Sequence, residues 1–530
     1  MMATVTGTNE NDLFISNLEQ TTYDGREGSD TVDYRNAGGF VSIDLAAGHG
    51  PFSDTYISIE NVRGSSFGDL LKGDGGANTL IGRGGTDTLS GGGGNDTLYA
   101  DASGTLDAGT DRDLLDGGAG DDVIWAGSDD YVNGDSGFDT LLLSYAAAPS
   151  TYPPGYGVTN GYDLDTIDML NQQFGSYRNI ELISHLWGSA FSDTIKLATQ
   201  PGSITVEAGS GNDVVFGRDS TVTIYGQDGF DQLFGSSTGD VLSGGADGDR
   251  IIGNGGGDWL DGGEGQDIIS TEMEMSFDNF GAQDHVFGGA GADQIYAGYG
   301  DIVDGGEGFD TVYISYIGGT TGISNGDTAT LFAGQPLVAG GGTLISVESF
   351  ATMALTSFND SMVFGNQDAK VTAYGWHGDD TLIAQQANVV FYGGTGNDLL
   401  VGGLADDFLS GEDGNDRIVG GRGFDSFSGG AGSDRFIFVN VDDKRDYIND
   451  FEVQADVIDL SAIDADLTAS GDQAFTFIGG ASFSGLGGEV RGANENGSYV
   501  LLADVNGDKV ADFIIDLGVA PALSATNFVL

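Results

Sequence analysis

Aspartate returns at every ninth residue through long stretches of this chain, and that spacing is where its chemistry lies. Written in nines, residues 393 to 437 read GGTGNDLLV, GGLADDFLS, GEDGNDRIV, GGRGFDSFS and GGAGSDRFI. Positions 1, 2 and 4 are mostly Gly, position 6 is always Asp and position 8 is always apolar. The same frame covers 208 to 270 for seven units and 73 to 99 for three, with isolated copies at 117–125, 134–142, 288–296 and 305–313. Carboxylates regularly spaced in Gly-rich backbone are oxygen ligands for a hard cation.

The elements that must position these groups follow from the same nine residues. Positions 1 to 6 are turn chemistry, with Gly where the backbone needs a positive φ or a close approach. Positions 7 to 9 form a short strand with one inward apolar side chain. One repeat cannot bury that side chain, but two repeats per coil put residues 18 apart one above another around a narrow core. Position-6 aspartates then stack as like charges, which calls for a cation between them. Three places break the pattern: Val222, Val389 (with Val371 one coil earlier) and Asn78, which weakens the site shared with Asp96. One side of the stack should lack a cation there, while the opposite pairs Asp213/Asp231 and Asp380/Asp398 are intact.

This motif resembles the RTX (repeats-in-toxin) family, whose nonapeptides form a calcium-bound parallel β-roll. The resemblance covers most of residues 60 to 437 and implies an all-β solenoid. It makes the position-6 aspartates the calcium ligands. The pairs are Asp213/Asp231, Asp231/Asp249, Asp249/Asp267, Asp240/Asp258, Asp380/Asp398, Asp398/Asp416, Asp416/Asp434 and Asp407/Asp425, which implies at least eight Ca2+ ions. Asp87, Asp96, Asp122, Asp293 and Asp310 occupy the same position in shorter or isolated runs.

Above the nonapeptide runs a longer period. Three excursions open on G-x-D-T and a strand (Gly28 to Tyr34, Gly137 to Tyr145, Gly308 to Tyr316). They close on an apolar–Glu pair and an S-x-F-x-D element: Ile59–Glu60 to Asp69, Ile180–Glu181 to Asp193, Val347–Glu348 to Asp360. Roll blocks are therefore expected at 73–142, 208–313 and 366–437, with an N-terminal β unit and first excursion at 1–72 and further excursions at 143–207 and 314–365. The excursions are expected to cover or cap the roll. Their alternative role is a binding or assembly surface, which the aromatic TYPPGYG at 151–157 would suit.

Residues 438–530 lose the Gly pattern and alternate apolar residues with short turns. This segment resembles the C-terminal domain of serralysin-type secreted metalloproteases, through the run Asp450 to Ser461 and the element Asp504 to Phe513. The resemblance implies a β cap on the open end of the roll and a C-terminal export signal at Asn527 to Leu530. Asp504, Asn506, Asp508 and Asp512 have calcium-loop spacing, but position twelve is Ile515 rather than Glu, and a hairpin turn is the alternative.

Composition bounds the function. The chain has 530 residues, 81 Asp or Glu against 18 Lys or Arg, a formal charge of −63 and no Cys. Such a field repels nucleic acid and anionic lipid. Yet 39% of residues are hydrophobic, enough to build a core whose carboxylates must be neutralised. No apolar run approaches a membrane span, and no classical signal peptide is visible at Met1 to Phe14. The four histidines (His49, His185, His285, His377) form no H-E-x-x-H, so the protease activity of the serralysins is not expected. The G-x-S-x-G match at Gly235 to Gly239 falls inside a repeat, not at a nucleophile elbow.

The expected protein is therefore a non-enzymatic, calcium-folded RTX protein of a Gram-negative bacterium, exported by a type I secretion apparatus to the extracellular space or cell surface. Its expected role is structural or adhesive, as a homo-oligomer, filament, surface layer or polysaccharide-binding matrix component. The alternative is a secreted hydrolase or polysaccharide-modifying enzyme with its site in an excursion.

Overall fold

The computed structural model describes residues 3–102, 111–146, 176–197, 199–272, 282–317, 337–339, 342–345, 349–365, 370–441, 445–468, 471, 473–518 and 522–530. The regular structure there is β, apart from two single 3-10 turns, Pro51–Ser53 and Ala525–Asn527. The chain divides into two compact units, Met1–Gly263 and Glu264–Leu530.

In the first unit, successive strands alternate between two parallel sheets. One runs through Thr79–Ile81, Thr97–Tyr99, Val123–Gly127, Thr140–Ser144 and Leu182–Trp187. The other holds Leu70–Lys72, Thr88–Gly93, Leu114–Ala119 and Tyr131–Ser136. Further along, Thr194–Lys196, Val214–Phe216, Gln232–Phe234 and Arg250–Ile252 form a separate parallel sheet. In regular coils the partners lie 18 residues apart, as in Val214↔Gln232 and Gln232↔Arg250. The register also tolerates 26 (Thr88↔Leu114) and 17 (Leu114↔Tyr131) without breaking the sheet. The register holds because each strand still brings an apolar side chain inward. Leu71, Leu89 and Leu115 on one sheet and Leu80, Leu98 and Ile124 on the other are fully buried. Burial of each such side chain contributes about 1.5–3 kcal/mol.

The strands that open the first two excursions are rungs of the same sheets rather than covers over them. Thr31–Asp33 lies between Leu13–Ile15 and Asn61–Arg63, and Thr140–Ser144 between Val123–Gly127 and Leu182–Trp187. The aromatic segment 151–157 and the pair Val347–Glu348 lie outside the described residues.

The second unit repeats the scheme. Thr381–Ala384, Leu399–Gly403, Arg417–Gly421 and Arg435–Ile437 stack in one sheet, and Val371–Tyr374, Val389–Thr395, Phe408–Gly414 and Ser426–Gly432 in the other. Its end is closed by a change of direction. Glu489–Glu495, Ser498–Asp504 and Phe513–Asp516 pair antiparallel, and Asp446–Ile448 joins them to the roll by pairing with both Ser426–Gly432 and Phe513–Asp516. Phe483, Val500 and Leu502 form the small core of this cap. The last strand, Phe528–Val529, pairs with Val457–Asp459, and Asn527 Nδ2 donates to the Val453 carbonyl at 2.7 Å.

Candidate calcium site: ladders of buried carboxylates

The turns place every position-6 carboxylate inside the roll. Asp87, Asp96, Asp122, Asp213, Asp231, Asp240, Asp249 and Asp258 in the first unit are at most 4% exposed, as are Asp267, Asp293, Asp310, Asp380, Asp398, Asp407, Asp416, Asp425 and Asp434 in the second. They are joined by directed hydrogen bonds: the backbone N–H of one ladder residue donates to Oδ1 of the next. Asp213 donates to Asp231 and Asp231 to Asp249 at 2.8 Å, and Asp240 donates to Asp258 at 2.8 Å. In the second unit the chains run Asp380 to Asp398 to Asp416 to Asp434, and Asp407 to Asp425. Asp249 belongs to the first unit and Asp267 to the second.

The other oxygen divides the turns into two kinds. In open turns Oδ2 is buried with no hydrogen-bond partner, as in Asp87, Asp96, Asp122, Asp213, Asp231, Asp293, Asp380, Asp398, Asp407, Asp416, Asp425 and Asp434. In capped turns a backbone N–H four residues earlier donates to the free oxygen. Ser65 caps Asp69, Ser189 caps Asp193, Ser236 caps Asp240 and Thr356 caps Asp360, with 2.5–2.9 Å between the atoms. A Ser or Thr at position 2 marks them, and in three of these four its hydroxyl also donates to the same carboxylate. The G-x-S-x-G match at Gly235 to Gly239 lies in one of these capped turns, where the Ser236 N–H donates to Asp240.

Glycine serves different ends at different positions of an open turn. A Cβ on Gly393, at position 1, would sit 2.2 Å from Asp398 Oδ2 and 2.8 Å from the Gly411 carbonyl, so the missing side chain is the space the carboxylate needs. Position 2 instead requires the left-handed region, with φ of 108° at Gly394. A second set of bonds runs the opposite way at position 5. The Asn397 N–H donates to Asp379 Oδ1, the Asn415 N–H to Asn397 Oδ1 and the Ser433 N–H to Asn415 Oδ1, at 2.8–3.1 Å.

Burial without a counter-charge makes these carboxylates reluctant to ionise. It pushes Asp87, Asp213, Asp380 and Asp407 up to about 8, Asp96 and Asp416 to about 7, and Asp231, Asp398 and Asp425 to about 6. Like-charged neighbours, such as Asp231 beside Asp213, add to the rise. Val222 and Val389 keep the rung, donating to Asp240 and Asp407 at 2.8 Å, but offer no carboxylate. Asn78 keeps it too: its N–H donates to Asp96, and its own side-chain amide donates to the Glu60 carbonyl.

Several ladder members escape a frame of nine. The N–H of Asp30 donates to Glu60 Oε2 and that of Asp139 to Glu181 Oε2, each at 2.8 Å. The first two apolar–Glu pairs that close excursions are therefore ladder positions in which a longer side chain spans an irregular coil. Asp12, Asp30, Asp69, Asp113, Asp130, Asp139, Asp193 and Asp360 also belong to the ladders. For Asp30, Asp69, Asp139, Asp193 and Asp360 the signal was the Asp of each G-x-D-T and S-x-F-x-D element; Asp12, Asp113 and Asp130 lie outside both elements.

The loop at Asp504 is arranged differently. Asp504 accepts the N–H groups of Gly507 and Lys509, and Asp512 accepts that of Val505 and the side-chain amide of Asn506. Asn506 and Asp508 accept the N–H groups two residues onward. These oxygens are occupied as a turn between Ser498–Asp504 and Phe513–Asp516 requires. Among the described residues no three His, Cys, Asp or Glu side chains converge on one point. A cation in an open turn would therefore draw its remaining ligands from backbone carbonyls, which the ladders bring close to Oδ2.

Fold and turns together define a parallel β-solenoid of calcium-binding repeats. Residues 63–98, 107–141, 207–242, 234–269 and 280–312 match the RTX calcium-binding nonapeptide repeat, and residues 352–530 match the peptidase M10 serralysin C-terminal family. The chain is an RTX repeat protein with a serralysin-type C-terminal region. Both are typical of secreted proteins. No curated protein matches it. Among solved structures it is similar to a subunit of the mannuronan C5-epimerase of Azotobacter vinelandii, at 22% identity over 33% of this chain and 78% of that one, with a TM-score of 0.17. It is also similar to the extracellular lipase of Serratia marcescens, at 15% identity over 64% of this chain and 45% of that one, with a TM-score of 0.16. Among the described residues no helix is long and apolar enough to cross a membrane.

Proposed function

We propose that this is a secreted RTX protein that folds when extracellular calcium fills its open turns, and then serves a structural, matrix, surface-layer or adhesive role without catalysis. The observation that carries the reading is the row of buried, partnerless Oδ2 atoms. Such atoms are costly in an apolar interior unless a counter-charge reaches them. Asp87, Asp96, Asp122, Asp213, Asp231, Asp293, Asp380, Asp398, Asp407, Asp416, Asp425 and Asp434 are the proposed ligands, with Asp249, Asp258, Asp267 and Asp310 at the same turn position. Stacked pairs of open turns would hold about eight ions or more. Asp240 and the Asp504 loop are left out, because amide donors already occupy their oxygens.

In calcium-poor cytosol, charge repulsion keeps the chain extended and suited to type I export. Outside, binding and folding are one equilibrium. Negative-stain electron microscopy with calcium and with chelator tests the role. Filaments or sheets that dissolve in chelator are expected. A protein that stays monomeric in calcium, or that turns over lipid, protein or uronate substrates, would contradict it.

A further inference from the structure

One edge of the second unit carries a cavity that the calcium ladders do not use. Position 2 of three successive coils is Trp376, Gly394 and Glu412, and position 3 runs from His377 to Asp413. A slot of about 550 Å³ lies here between the indole and the carboxylates, lined by Gly394, with Tyr374 and Tyr392 along it. The two tyrosine rings stack with centroids 4.9 Å apart and planes within 5°. His377 Nδ1 lies 2.7 Å from Thr395 Oγ1, which holds the imidazole at the rim.

Trp376 is set apart at this place by its bulk, not its backbone. Its φ of 74° is the left-handed value that Arg83, Gln227 and Glu412 share at position 2 of other coils, and the residue is 47% exposed. Among the described residues that ring stacks on no other aromatic. An exposed indole with no aromatic partner in the fold leaves its face open to a guest.

We propose that this slot binds a small alkylammonium ion. No Lys or Arg lines it, and the net charge of −63 disfavours an anionic guest. A neutral guest would leave Glu412 and Asp413 without a role. A bare metal ion would use the carboxylates but not the indole and phenol rings. Aromatic faces beside carboxylates are the environment that attracts a cation with an apolar periphery.

Titration calorimetry on the full chain in millimolar calcium tests this, with choline and its uncharged tert-butyl isostere as probes. Saturable choline binding is expected with a Kd of about 1 mM, and about tenfold weaker binding of the isostere. Glu412→Gln should weaken choline about tenfold, and Trp376→Ala should abolish binding. Circular dichroism checks that each variant folds. If Trp376→Ala does not fold, Glu412→Gln and Trp376→Phe decide, the latter retaining most of the binding. Equal binding of the isostere, or choline binding indifferent to both sites, overturns the proposal. Co-sedimentation with phosphatidylcholine vesicles identifies a lipid headgroup as the source, and choline binding without vesicle binding identifies a free amine. Either outcome supports the site, and failure of both probes to bind overturns it.

Discussion

The backbone N–H of Asp213 donates to Oδ1 of Asp231 at 2.8 Å, while Oδ2 of Asp231 is buried with no partner. One carboxylate thus does two separable things. It stitches its coil to the one before, and it carries a charge that the interior leaves uncompensated.

Substitution should separate these two roles. Asp231→Asn keeps an acceptor for the Asp213 amide and removes the charge. Its thermal midpoint in saturating calcium should fall, and more calcium should be needed for half-maximal folding. Asp231→Ala also leaves a buried amide unsatisfied and should cost a further ~1–3 kcal/mol in calcium. Thermal melts of the three proteins in saturating calcium, with a calcium titration of each, check this.

Asp240 should behave differently. Both its oxygens accept amides, from Val222 and Ser236. Asp240→Asn breaks one of these bonds but removes no proposed ligand, so it should lower the thermal midpoint in saturating calcium while the number of calcium ions bound, counted by equilibrium dialysis, stays that of the parent.

Position 1 is Gly in most coils, although Ala208 takes it ahead of Asp213. A Cβ at Gly226 would lie 2.3 Å from Asp231 Oδ2 and 2.5 Å from the Gly244 carbonyl. Gly226→Ala should cost about 3 kcal/mol or more. At Gly255 the nearest atom is 3.8 Å away, so Gly255→Ala should stay within about 0.5 kcal/mol of the parent. Urea denaturation in saturating calcium distinguishes the two.

Protons should substitute for calcium in part. Burial holds the carboxyls of Asp213, Asp380 and Asp407 at about 8 in the fold, far above their unfolded range near 4. The folded state therefore binds more protons than the unfolded state between those values. In chelator, stability should be greatest below about pH 4 and fall as pH rises towards 8. A β signal in chelator that is stronger at pH 5 than at pH 7.5, read by circular dichroism, is the expected result. Calcium affinity runs the other way and should weaken on acidification, because the ligands must be deprotonated.

The repeat was legible in the sequence because a nonapeptide encodes its own turn and strand. Asp398 and Asp416 could be paired from spacing alone, and the structure stacks them. Two things were not legible in that frame. Glu60 and Glu181 join the ladders across coils whose length no period predicts, and only the reach of a longer side chain brings them in. The division into open and capped turns depends on whether the position-2 amide faces the carboxylate. Asp240 and Asp231 look alike in the frame of nine, yet Ser236 fills the oxygen of one, while the left-handed Gln227 (φ 79°) leaves that of the other empty.

The most direct test of the central claim is far-UV circular dichroism of the whole chain at pH 7.5 during a calcium titration from chelator. The ladders predict a largely unfolded spectrum in chelator and a cooperative rise of β signal as calcium enters. A full β spectrum in chelator at that pH would contradict the account, because the buried carboxylates would then have folded without a counter-ion.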